Sequence, residues 1–221
     1  MGTGFFDTFF IEKEPTLFYQ SIYSYYNKIK NNIFTKEVTF LNTKNSLLKF
    51  QFISFFLTAI IGVLLHFTYE LSGENSIVGI FSSINESTWE HLKLIFFPTL
   101  LSTILGYLYL GKNYSNYLCA RTISTIISMI FTIVFFYTYT GILGRNIAFV
   151  DISSFFISVL IGEYVTYKLV KSDFKCNKTI STVILFFLFI LFAIFTFNPP
   201  NIGLFEDPIT GTYGINYYSL E

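Results

Sequence analysis

Charge is scarce in this sequence. Asp, Glu, Lys and Arg make up 13% of 221 residues, about half the roughly 25% of an ordinary soluble domain. Hydrophobic residues reach 52% and aromatics 21%, and they come in long blocks rather than short periodic stripes, which marks a membrane chain. The formal net charge is zero, which removes the basic surface a nucleic-acid partner requires. There is no basic segment leading into an apolar core at the N-terminus, so a cleavable signal peptide is excluded. G-x-S-x-G, H-E-x-x-H, P-loop and dinucleotide fingerprints are absent, which lowers the familiar enzyme classes. Internal duplication is also absent, which argues against a repeat-built transporter.

What the chain has instead is five apolar runs: Phe50 to Tyr69, Leu94 to Leu110, Leu118 to Leu143, Phe149 to Val170 and Thr179 to Phe197. Each approaches the ~20 residues that cross a bilayer core as a helix. The predicted fold class is therefore all-α, a polytopic bundle of about five transmembrane helices, with the lipid bilayer as its partner. Residues 1–49 form a segment before the bundle, residues 50–197 the bundle and residues 198–221 a tail. Phe18, Ile22, Tyr25 and Ile29 follow helical spacing and suggest a helix lying along the interface; a loosely ordered leader is the alternative. Pro98 should kink the second span or mark its first turn. The tail has turn residues at Asp207-Pro208 and Thr210-Gly211, with Leu204, Phe205 and Ile209 between and around them, a pattern for folding back as a lid.

Lysines and arginines set the orientation. Lys28, Lys30, Lys36, Lys44 and Lys49 precede the first span, Lys112 and Arg121 lie around the start of the third, and Lys168, Lys171, Lys175 and Lys178 lie at the end of the fourth and in the loop after it. The opposite loops hold Lys93 and Arg145 beside Glu70, Glu74, Glu86, Glu90, Asp151, Glu206 and Asp207. This places the N-terminus in the cytoplasm and the C-terminus outside, in the cell membrane. Cys119 and Cys176 both fall on the inner side, where thiols stay reduced, so no disulfide is expected.

The polar stretch Asn85-Glu-Ser-Thr-Trp-Glu-His-Leu-Lys93 stands between the first two spans. Glu86, Glu90 and His91 are candidate catalytic groups for acid/base work. His66 and Glu70 share a helix face and, with His91, form a candidate divalent-metal set of nitrogen and oxygen ligands suited to zinc. Arg145 and Lys93 are the available counter-charges, and with Trp89 and Asp207 they complete a candidate binding surface. The plainer reading is a capped helix start, with Asn85 as N-cap or Ser87-x-x-Glu90 as a capping box, and Trp89 as an interfacial anchor. Within the spans, Arg121 and Glu163 lie at matched depth and can pair; snorkelling of Arg121 to the interface is the alternative.

His66-Phe-x-Tyr-Glu70, Val78-Gly-x-Phe-x-x-x-Asn-Glu-Ser-x-Trp-Glu-His-Leu-Lys93 with Phe97-Pro98, and the tail from Pro199-Pro200 to Gly214-Ile215 resemble a family of small prokaryotic multi-pass membrane proteins catalogued as a domain of unknown function. The likeness runs from about Lys49 to Ile215; Ser83-Ile84 departs from a Pro-Val common at that place in the family. No mechanism comes with it. Three functions stay open: an enzyme acting on a lipid or lipid-linked substrate, a transport or channel component with Glu163 as a deeper step, and a non-catalytic scaffold or sensor.

Overall fold

The computed structural model describes residue 28 and residues 46–111, 113–172 and 174–215. The chain divides into two units between Asn45 and Ser46. The interfacial helix expected at Phe18–Ile29 lies, apart from Lys28, outside the described residues.

The second unit is helical, with one isolated β-bridge in its tail. Its elements are α1 (Ser46–Leu71), α2 (Ser76–Gly79), α3 (Thr88–Leu110), α4 (Tyr117–Leu143), α5 (Ala148–Val170) and α6 (Lys178–Phe197). All but α2 are long and apolar enough to cross a membrane. The first span extends past its sequence-read boundary at Phe50, and Leu47 is fully buried with Leu110, Tyr117, Ala120 and Val170. The second begins six residues before Leu94, at Thr88, because Ser87 caps it: the Ser87 hydroxyl accepts from Glu90 N at 3.3 Å.

The unit is apolar outside and polar within. Phe52, Ile60, Leu64, Leu108, Ile142, Phe149, Val183 and Phe186 are exposed, whereas Ser54, Thr58, Lys93, Ser102, Arg121, Ser158 and Thr166 are almost wholly buried. In water this distribution would be unstable; in hydrocarbon, packing and interhelical hydrogen bonds replace the hydrophobic drive. The seam between α4 and α5 shows how. Ser154, Ser158, Gly162 and Thr166 recur every four residues along one face of α5, opposite Ser124, Ser128 and Thr132 on α4. Ser124 Oγ meets Thr166 Oγ1 at 2.6 Å, Ser128 Oγ donates to the Ser158 carbonyl at 2.8 Å, and Thr132 Oγ1 meets Ser158 Oγ at 2.7 Å.

α3 is the most enclosed of the five long helices. Pro98 lies in its interior rather than its first turn. Proline has no N–H, so the Leu94 carbonyl one turn back has no helical donor. Gly62 of α1 packs against that carbonyl: a Cβ there would sit 2.6 Å from Leu94 O and 2.6 Å from the Phe155 ring. Glycine is what lets the two backbones approach.

Two corrections arise at the level of the fold. Cys119 and Cys176 are joined as a disulfide, with Cα atoms 6.0 Å apart, where free thiols were expected. The expectation weighed compartment alone, whereas the bundle brings the first turn of α4 against the segment before α6. Ile209 is 76% exposed, so of the three apolar tail residues Phe205 carries the docking: it is buried among Trp89, Phe192 and Phe195.

Candidate functional site

The site is built by the end of α1, the start of α3 and the loop between them. Ser82 fastens this loop to α1: its hydroxyl donates to the Leu65 carbonyl and accepts from Tyr69 N. Asn85 Oδ1 accepts from Ser87 N at 3.0 Å, turning the chain into the α3 cap. Between these two anchors, Glu86 is held between His66 of α1 and His91 of α3.

His66 Nε2 lies 3.6 Å from Glu86 Oε1, and His91 Nε2 lies 3.4 Å from Glu86 Oε2. The rings are 5.4 Å apart. Both carboxylate approaches exceed the ~2.7–3.2 Å of a hydrogen bond, so the three groups lie close together without hydrogen-bonding one another. Their ligand atoms all lie within 4.8 Å of one another. Two ligands at 2.0–2.1 Å from a tetrahedral zinc are roughly 3.3 Å apart, so the cluster would draw together on binding one.

The far nitrogens of the imidazoles are engaged. His91 Nδ1 is 2.9 Å from the Ser87 carbonyl; a carbonyl only accepts, so Nδ1 carries the proton and, in the neutral ring, Nε2 presents its lone pair toward Glu86. His66 Nδ1 is 3.3 Å from Ser83 Oγ. Such outer contacts orient metal-binding histidines. The side chains of His66, His91 and Glu86 remain 28%, 34% and 42% exposed, which leaves room for a further ligand.

The sequence-read candidates separate into two groups. Glu86, His66 and His91 come together. Glu70, the carboxylate assigned to the metal set, is exposed and Glu86 stands in its place; α1 ends at Leu71, and it is the return loop that supplies the acid. Glu90 does not reach the site. It is 2% exposed and its Oε2 lies 2.5 Å from Lys93 Nζ, itself fully buried. Glu90 Oε2 also accepts from Ile84 N at 3.1 Å, and Lys93 Nζ donates to Gly79 O at 2.8 Å and to Thr196 Oγ1 at 2.7 Å. This pair ties the loop, α3 and α6 together. Adjacent residues on a helix point about 100° apart, so His91 faces the site when Glu90 faces the core.

The binding candidates are placed elsewhere. Trp89 is not an interfacial anchor but a core residue, its ring centroid 4.7 Å from that of Phe192 and 4.8 Å from that of Phe205. Its backbone N–H, free at a helix start, donates to Leu204 O at 3.0 Å, so the tail docks on the first turn of α3. Asp207 is buried but serves its own turn, accepting from Ile209 N at 2.9 Å and Thr210 Oγ1 at 2.7 Å. Arg145 is exposed and makes no ion pair among the described residues. Arg121 and Glu163 do meet, at 2.8 Å and almost wholly buried. Sequence reasoning missed Ser83 and the role of the loop; the four-residue rhythm of small residues in α5 was visible but not read.

No curated protein and no solved structure matches the chain. One family model does, over residues 39–215, that of a family of unknown function, DUF6512.

Proposed function

The chain belongs to the DUF6512 family, of unknown function, and from that premise we propose that it is a multi-pass membrane protein whose polar end binds a divalent metal, zinc by donor type, through His66, Glu86 and His91. The observation that carries this reading is the clustering of ligand atoms of His66, Glu86 and His91 within 4.8 Å of one another, with each imidazole Nδ1 engaged elsewhere. Two histidines and one carboxylate are a ligand set of catalytic zinc sites, which keep an open position for water or substrate. When bound, the metal would supply Lewis acidity and an activated water.

The chain's own residues do the rest. Ser87 O fixes the His91 ring with its Nε2 lone pair toward Glu86, Ser83 Oγ orients the His66 ring, and the Glu90–Lys93 pair holds the loop that presents Glu86. Phe67 is exposed and its ring packs 4.9 Å from that of His66; Leu71 at the end of α1 and Ile77 on α2 are exposed as well. An apolar rim next to a metal-binding cluster suits a lipid or lipid-linked substrate presented at the bilayer surface. The lysine distribution orients this end away from the cytoplasm. The test is elemental analysis of purified protein after zinc loading. Wild type and Glu70→Gln should retain stoichiometric zinc, whereas His91→Ala and Glu86→Gln should lose it. Zinc missing from wild type, or kept by both site variants, overturns the reading.

A further inference from the structure

A second polar centre lies within the bundle, about 18 Å along α1 from His66 at ~1.5 Å per residue. Gln51, Ser54 and Thr58 are 5%, 0% and 0% exposed, and their spacing of three and four residues puts them on one face of α1. Ser54 Oγ donates to Glu163 Oε1 at 2.7 Å, and Arg121 Nη1 donates to the same oxygen at 2.8 Å. The guanidinium is otherwise spent on α3: Nε donates to Thr103 Oγ1 at 3.1 Å, and Nη2 to Ser102 Oγ at 2.5 Å and Thr99 O at 3.4 Å.

Glu163 Oε2 takes no part in this. It is buried without a hydrogen-bond partner among the described residues, and so are both polar atoms of the Gln51 amide and Thr58 Oγ1. Buried polar atoms are rarely left so, and a group of them calls for an occupant. Charge decides what kind. Arg121 and Glu163 cancel, so a cation or an anion would leave net charge inside the membrane-spanning part of the fold, which is strongly disfavoured. An apolar occupant would satisfy none of the four atoms. An uncharged molecule that both donates and accepts satisfies all of them.

We propose that Glu163, Gln51 and Thr58 form a hydrated intramembrane site, in which bound water donates to Glu163 Oε2 and exchanges hydrogen bonds with the Gln51 amide and the Thr58 hydroxyl. Labour on Glu163 is then divided: Oε1 keeps the ion pair and the α1 contact, while Oε2 faces water. The site is independent of the His66–Glu86–His91 cluster and stands or falls separately.

Thermal unfolding of the full chain in lipid nanodiscs separates a hydrated centre from a dry one. In a dry centre, Gln51→Leu and Thr58→Val remove unsatisfied polar groups and raise the midpoint or leave it unchanged. In the hydrated centre each removes bonds to water, and the midpoint should fall by about 2–4 °C per lost hydrogen bond. Since Gln51→Leu could also lower the midpoint through misfit, an experimental structure fine enough to show solvent is the second measurement. Solvent within about 3 Å of Glu163 Oε2 is expected. A rise or no change in midpoint, or a direct protein partner on Oε2, overturns the proposal.

Discussion

Glu90 and Glu86, four residues apart in one polar stretch, have opposite fates. Glu86 is partly exposed between two imidazoles, whereas Glu90 is buried against Lys93. Breaking a buried ion pair from one side strands the other charge, at a cost of about 3–5 kcal/mol. Glu90→Gln should therefore destabilise the protein by that order, and Glu90→Gln with Lys93→Met should recover part of the loss, read by unfolding in detergent titration. Additive losses would show that the two side chains do not act as a pair. Glu86→Gln should leave stability within about 0.5 kcal/mol, as exposed substitutions do, while removing zinc. A buried acid that neutralises a buried lysine is scaffolding; the exposed acid beside it is free to be a ligand.

Packing of the helices depends on small residues, and two glycines show that the neighbour decides the cost. At Gly62 an added methyl meets a backbone carbonyl and the Phe155 ring, neither of which moves without shifting a helix. At Gly162 it meets the Ser128 hydroxyl, 2.4 Å away, and a hydroxyl can rotate. Gly62→Ala should thus cost about 1–3 kcal/mol, in the range of overpacked cores, and Gly162→Ala less, with the loss confined to the Ser128–Ser158 bond. Comparing the two midpoints in the same micelles checks this; equal losses would mean that the α1–α3 approach at Leu94 is looser than described.

For the whole molecule, lysine distribution and disulfide speak to the same question from opposite sides. By the positive-inside rule, Lys168, Lys171, Lys175 and Lys178 would place the end that carries Cys119 and Cys176 in the cytoplasm, yet disulfides persist in oxidising compartments. A cysteine at Asn75 in a Cys119→Ser/Cys176→Ser background should be labelled on intact cells by an impermeant maleimide, and one at Lys175 should not. The reverse labelling pattern would put the disulfide outside and the His66–Glu86–His91 site in the cytoplasm.

The five spans were legible because lipid imposes a length and an apolarity that a linear sequence displays directly. The helix start at Ser87 and the ends set by Gly144 and Asn198-Pro199 were local signals of the same kind. Arg121 and Glu163 could be matched by depth because rise per residue converts position into height. Nothing local could say which carboxylate joins the histidines. Glu70 shares a helix face with His66 and Glu90 neighbours His91, so both look nearer along the chain than Glu86. The choice was made by a loop that Ser82 fixes to α1 and by a buried lysine that draws Glu90 inward, contacts between residues up to 103 positions apart. The sequence by itself determined how many helices are long and apolar enough to cross a membrane, since length and apolarity are properties of each segment alone. Tertiary structure decided which polar groups meet, since that depends on how the helices rotate against one another.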